Sequence, residues 1–207
     1  MKLECPAFIL GNGPGLPGNL GVLSRCFTVG VNRILDTGFT PTVLLWMDGS
    51  FYREQAAQVD ASEALQVCSA SLANRRWHIG LHSWSGQDAL HHHAAPTVLC
   101  CNGNTGCCAA RWALSLGCPV VYLLGMGAEY RDGRTNFYGV NPWHHRPPGA
   151  ETALEVMQAE RDRLWDDFGE RLRLARDEAD LTEIAAGEEG MDQTELRARI
   201  RQAIAPE

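Results

Sequence analysis

The sequence predicts an α/β fold in which a doubly wound, mostly parallel sheet carries a C-terminal helical extension. Three observations point there. Apolar runs of four to seven residues recur along the first 125 positions, beginning with Ala7-Phe8-Ile9-Leu10, and runs of that length suit buried strands better than core helices. Several of them end in polar, glycine-rich turns, such as Gly11-Asn12-Gly13-Pro14-Gly15 and Asn102-Gly103-Asn104-Thr105-Gly106. The segments between them are crossovers rather than two-residue hairpin turns, which implies parallel pairing.

The elements follow in order. Residues 7–10 read as the first strand, and 26–32 as a second, followed by a short helix or turn over 33–38 and a strand over 42–48. Residues 50–59 read as helix, 64–68 and 77–81 as weaker strands, and 83–95, with its histidine run, as loop. The clearest unit comes next: strand 97–101, the polar turn, helix 107–116 stopped by Gly117, and strand 119–125, a βαβ pattern with the capping glycine in place. Residues up to Gly149 form a long loop rich in Gly, Pro, Tyr, Asn and His. An amphipathic helix is expected over 151–168, with Leu154, Met157, Leu164, Trp165 and Phe168 near one face, then an edge strand over 171–175 and an acidic linker over 177–190. Asp192 with Glu195 three residues later caps a terminal helix whose stripe of Leu196, Ile200 and Ile204 packs on the domain or on a sister subunit, leaving a homo-oligomer open. The division expected is 1–150 as a nucleotide-binding α/β domain and 151–207 as the helical extension.

Composition narrows the function. A net charge of −7 disfavours direct polyanion binding, which relies on many cationic contacts. Lys2 is the only lysine, so the lysine of a Walker-type phosphate loop or of a Schiff-base enzyme is missing from the body of the chain. No apolar run approaches the length of a membrane span and no signal-type segment opens the chain, so a cytoplasmic location is expected. The eight cysteines lack Cys-x-x-Cys spacing, and several fall in expected strands or a helix, which favours reduced, structural thiols.

In a parallel sheet all carboxyl ends lie on one edge, so polar groups placed there converge from distant parts of the chain. Such groups here are Gly11, Asn12 and Gly13, then Asn32, Asp48, and the turn of Asn104, Thr105 and Gly106. Neutral amides bind ribose, base edges or phosphate, and the helix start at Thr105 suits an anion. Asp48 accepts from a sugar hydroxyl, holds a metal, or caps the following helix. The run His91-His92-His93, with His78 and His82 four apart, suggests either a metal site or an ordinary loop, and no metal ligand is assigned.

Taken together, Phe8-Ile9-Leu10-Gly11-Asn12-Gly13-Pro14, Val31-Asn32, Asn104-Thr105-Gly106 and Tyr122-Leu123-Leu124-Gly125-Met126 resemble the Rossmann-like bacterial and phage sialyltransferases that use CMP-sialic acid, and the related hydroxymethylpterin diphosphokinase-like proteins. The resemblance implies nucleotide contacts from Asn12, Asn32, Asn104, Thr105 and Gly106. It places Tyr130 and Tyr138 on a departing phosphate and offers His144 or His145 as base. Arg131 or Arg134 supplies charge to the phosphate or stays solvated. Gly15 stands where these families usually carry serine, and Gly127 where an acid is common. The function expected is a nucleotide-sugar-dependent glycosyltransferase acting on a hydroxyl acceptor, with nucleotide or nucleotide-sugar as partner and no cofactor assigned. The alternatives are a diphosphokinase-like transferase using a nucleoside triphosphate with Mg²⁺, and a non-catalytic nucleotide-binding protein.

Overall fold

The computed structural model describes residues 2–85, 88, 92–127, 136, 149–175, 177–188 and 190–205, with the side chains of 149–154 excepted. Eight strands form one all-parallel sheet: β1 (Ala7–Leu10), β2 (Phe27–Val31), β3 (Val43–Trp46), β4 (Leu65–Ser69), β5 (Ile79–Ser85), β6 (Val98–Cys101), β7 (Val121–Leu124) and β8 (Leu172–Leu174). The order across it is β6-β5-β4-β3-β2-β1-β7-β8. The α/β, doubly wound fold read from the sequence is therefore the fold of the chain. Every residue of β1, β2, β3 and β4 is buried, as strands covered on both faces require.

One face carries α2 (Thr105–Ser115), α3 (Gly149–Phe168) and α5 (Gln193–Ala203); their Trp112, Leu164, Leu196 and Ile200 join Ile9, Val29, Val43 and Leu123 in one core. The other carries α1 (Gly49–Ala61) and α4 (Glu178–Gly187), whose Phe51, Val59 and Leu181 pack with Phe8, Leu10 and Leu44. Burying a side chain of this size removes about 1.5–3 kcal/mol of unfavourable hydration, so the two cores hold the sheet from both sides.

Three features differ from the sequence reading. The β6-α2-β7 unit does not join neighbouring strands: β6 is an edge strand, β7 lies beside β1, and α2 runs over the sheet, touching β1, β2, β3, β6 and β7. Its Cys107, Cys108, Ala109, Ala110 and Ala113 are all buried, and small side chains let a helix lie close to a sheet. The acidic stretch 177–190 is not a linker, because Asp177 caps α4 by accepting from Ala179 N and Asp180 N (both 2.9 Å), and Leu181 is fully buried. Residues 83–85 continue β5 rather than opening a loop, since His82 to Ser85 pair with β6.

The C-terminal part also enters the sheet. β8 pairs with β7, and Leu196, Ile200 and Ile204 are buried against the domain. Gln193 docks α5 by donating to Cys26 O (3.0 Å) and accepting from Thr42 Oγ1 (2.7 Å).

Candidate functional site

The strand order reverses between β1 and β7, the switch point at which open α/β sheets bind ligands beyond their carboxyl ends. The loop after β1 is packed hard against β7 there. Gly11 N donates to Leu124 O (2.8 Å) and Gly13 N to Gly125 O (2.7 Å). A Cβ on either Gly11 or Gly13 would lie 2.5 Å from the Gly125 carbonyl oxygen, so both positions require glycine for close backbone approach. Those two N–H groups are thereby engaged with β7.

Asn12 follows β1 and Asn32 follows β2. The parallel register pairs Leu10 with Gly30, so Asn12 and Asn32 both stand just past the carboxyl ends of two neighbouring strands. Among the described residues, the Oδ1 atoms of both are buried and without a hydrogen-bond partner. A desolvated, unpaired acceptor costs about 1–3 kcal/mol. Asn32 is also the one described non-glycine residue with positive φ, at 47°. Two costs therefore coincide at Asn32.

The turn after β6 reaches the same rim. Asn104 is the N-cap of α2, its Oδ1 accepting from Gly106 N (3.0 Å) and Cys107 N (3.2 Å), while Thr105 opens the helix. Met126, 8% exposed, fills the space between this turn and the first loop: a Cβ added to Gly106 would lie 2.2 Å from its Sδ, and one added to Gly11 would lie 2.8 Å from it. Asn104 thus occupies two of the N–H groups at the helix start that the sequence reading offers to an anion, and Met126 lies against Gly106.

Asp48 takes the capping role. It is exposed at the start of α1, its Oδ1 accepting from Ser50 N (2.7 Å) and its Oδ2 from Ser50 Oγ (2.9 Å). Farther along the rim, Asn102 Nδ2 donates to Glu160 Oε1 (2.8 Å), a carboxylate only 5% exposed. Arg161 of the same helix donates through Nη1 to Gly127 O (2.6 Å), tying α3 to the segment that leaves β7. Sequence reasoning gave no part to Met126 as a wedge or to Arg161 as a clamp. Gly125-Met126 directly after an apolar run was the available signal for the first; an arginine on a charged helix offers none for the second.

The histidines separate. His78 is buried, at ring-centroid distances of 5.1 Å from Trp46 and 5.0 Å from Tyr52, with Nε2 3.6 Å from Asp60 Oδ1. Burial holds its imidazole pKa below the ordinary range, against the pull of Asp60. His82 is exposed and lies 5.0 Å from Trp84, which stacks on His92 at 3.6 Å. Among the described residues no group of three or more His, Cys, Asp or Glu is placed to hold a metal ion.

Tyr130, Arg131, Arg134, Tyr138, His144 and His145, which the sequence assigns to chemistry, and His91 lie outside the described residues. Among those described, no helix is long and apolar enough to cross a membrane. Comparison with protein-family models, with curated proteins and with solved structures returns no match to this chain.

Proposed function

We propose that the rim at the ends of β1 and β2 binds the nucleoside part of an activated nucleotide, and that the chain is a nucleotide-sugar-dependent transferase moving a sugar to a hydroxyl acceptor. The supporting observation is the pair of buried, partnerless amide oxygens of Asn12 and Asn32 past the carboxyl ends of two neighbouring strands. Two acceptors require donors. Ribose hydroxyls and the exocyclic amine of a base supply them, whereas a fully ionised phosphate supplies none. A nucleoside therefore fits these amides better than a phosphate does.

In this reading His144 or His145 takes the proton of the acceptor hydroxyl, and Tyr130, Tyr138 and Arg134 meet the charge that develops on the departing phosphate. The histidine and tyrosine roles follow from the sequence resemblance, and that of Arg134 from its charge in the same loop. A second reading, a nucleotide-binding protein without transfer, is favoured by the N–H groups of Gly11, Gly13, Gly106 and Cys107, all engaged within the protein and so withdrawn from any phosphate. The same engagement weighs against a diphosphokinase-like site, which needs donors along a triphosphate.

Titration calorimetry with CMP, UMP and AMP and with the matching nucleosides tests the proposal. Binding is expected to persist when phosphate is removed and to weaken about tenfold in Asn12→Ala and Asn32→Ala, the effect of losing one buried hydrogen bond. Asn19→Ala, at an exposed position, should bind as the parent does. Unchanged affinity in both rim variants overturns the assignment. Turnover across a panel of sugar nucleotides then separates transferase from binding protein.

A further inference from the structure

The opposite, amino edge of the sheet carries a feature the rim does not explain. All eight cysteines are free thiols, seven of them buried; Cys5 is the exception. It lies on the extended segment entering β1, against the segment entering β7 that carries Cys118. Backbone hydrogen bonds clamp these segments on both sides of the pair, Leu3 N to Leu116 O (2.8 Å) and Ala7 N to Val120 O (3.0 Å). This pairing sets Cys5 across from residues 118–119, where the Cys118 thiol neighbours it; Cys118 is fully buried and Cys5 half-buried. On its other side Cys5 lines a small pocket with Arg25, Cys26, Glu188 and Met191.

We propose that Cys5 and Cys118 form a reversible thiol–disulfide site, oxidised by a small disulfide of the glutathione type that enters at Cys5. Cys5 sulfur, as thiolate, attacks one sulfur of the small disulfide; that S–S bond breaks and one small thiol leaves with a proton. Cys118 then gives up its proton, its sulfur attacks Cys5 sulfur, and the second small thiol departs. Two protein thiols are oxidised by two electrons, and one small disulfide is reduced to two thiols.

The electrostatics agree with this order. The neighbouring Cys118 thiol, with help from the Arg199 guanidinium, holds the Cys5 thiol below the ordinary range against burial and the charge of Glu188. Cys118, pushed up by the contact with Cys5 and by burial, is fully buried while Cys5 is not, so it is the second to react. Cys26, in the same pocket, is pushed up to about 11 by burial and is a poor competitor. Cys101 and Cys108 form a similar contacting pair, but both are buried and out of reach of a small disulfide.

The test is intact-mass analysis and peptide mapping of the native protein treated with glutathione disulfide. The expected product has lost two hydrogens, joins the Cys5 and Cys118 peptides, and returns to the starting mass with dithiothreitol. Cys118→Ala should stop at a glutathione adduct on Cys5, Cys5→Ala should not react, and Cys26→Ala should behave as the parent. A parent protein that stops at the adduct, joins Cys5 to Cys26, or leaves Cys5 untouched while the urea-unfolded chain reacts overturns the proposal. The parent's own peptide map decides the matter even if a variant fails to fold.

Discussion

Asn32→Gly, studied in the protein without ligand, separates a binding residue from a structural one. The Asn32 side chain carries a buried Oδ1 with no partner, and its backbone sits at a φ of 47°. Deleting the side chain removes an orphaned acceptor costing about 1–3 kcal/mol and relieves a left-handed conformation costing about 1 kcal/mol. Against this stand the lost van der Waals contacts of the side chain and the greater freedom of glycine in the unfolded chain, about 0.5–1 kcal/mol. The net expectation is a protein more stable by about 1–2 kcal/mol. For a domain of this size that raises Tm by roughly 2–8 °C, read in parallel with urea midpoints at constant m. Asn32→Ala removes the same orphan but keeps a Cβ at positive φ, so it should fall about 1 kcal/mol below the glycine variant. If Asn32→Gly instead loses 1 kcal/mol or more, the asparagine is holding the fold, and the argument that it is kept for a ligand fails.

Two further outcomes follow from the same geometry. Gly13→Ala should lose about 2–3 kcal/mol in urea unfolding, because its Cβ would lie 2.5 Å from the Gly125 carbonyl oxygen and neither backbone segment can yield without breaking the Gly13 N to Gly125 O bond; parental stability would mean that the loop is not packed on β7 as described. The buried His78 should make stability depend on pH. Burial lowers its folded-state pKa while Asp60 pulls it up and the Arg75 guanidinium lowers it further, with the Tyr52 hydroxyl bonded to Asp60 beside it. The unfolded chain therefore binds protons that the folded one excludes, so stability is full above about pH 6.5 and declines as pH falls towards the lowered value. His78→Phe should flatten the urea-midpoint profile between about pH 5 and 6.5, and an unchanged slope would assign it to other groups.

How far the sequence carries depends on where each element's burial comes from. β1, β2, β3 and β7 are legible because both their faces are covered, so nearly every residue is apolar. The path of α2 is not legible, since a strand, a helix and a strand in succession look alike whether the second strand pairs beside the first or beyond β1. α4 reads as linker because one side chain, Leu181, is buried on it, and its position is set by contacts from elsewhere: Asn19 N donates to Glu178 Oε1 (3.0 Å), and the helix packs against the short 3₁₀ turn Leu20–Leu23. At the rim, Asp48 is recognisable as a cap from an Asx residue before a helix, whereas Asn104, read as a nucleotide contact ahead of a helix from Cys107, caps a helix that begins at Thr105. That β1 and β2 are neighbours, which brings Asn12 and Asn32 to adjacent strand ends, and that their oxygens lack partners are set by tertiary packing that local sequence does not carry.

The two edges of the sheet show why that last point has weight. At the amino edge between β2 and β3 the polar side chains are paired. Thr28 and Thr42 exchange backbone-to-hydroxyl hydrogen bonds (3.1 and 2.8 Å), and Gln193 joins Thr42 to Cys26 O. At the carboxyl edge of the same sheet, Asp48, Ser69, Asn102 and Asn104 also have partners. Orphaned oxygens at that edge fall on Asn12 and Asn32, past the ends of β1 and β2; Trp46 Nε1 at the end of β3 is an orphaned donor there, while Gln66 Oε1 and the His78 ring nitrogens lie near the amino ends of β4 and β5, and Arg197 Nε lies on α5. The other named polar side chains at the carboxyl edge find partners, and Asn12 and Asn32 are the two at the ends of neighbouring strands whose oxygens do not. The proposed nucleoside would pair both oxygens, and under that proposal an asparagine stands at position 32, where glycine would relieve the backbone, because the ligand needs its amide.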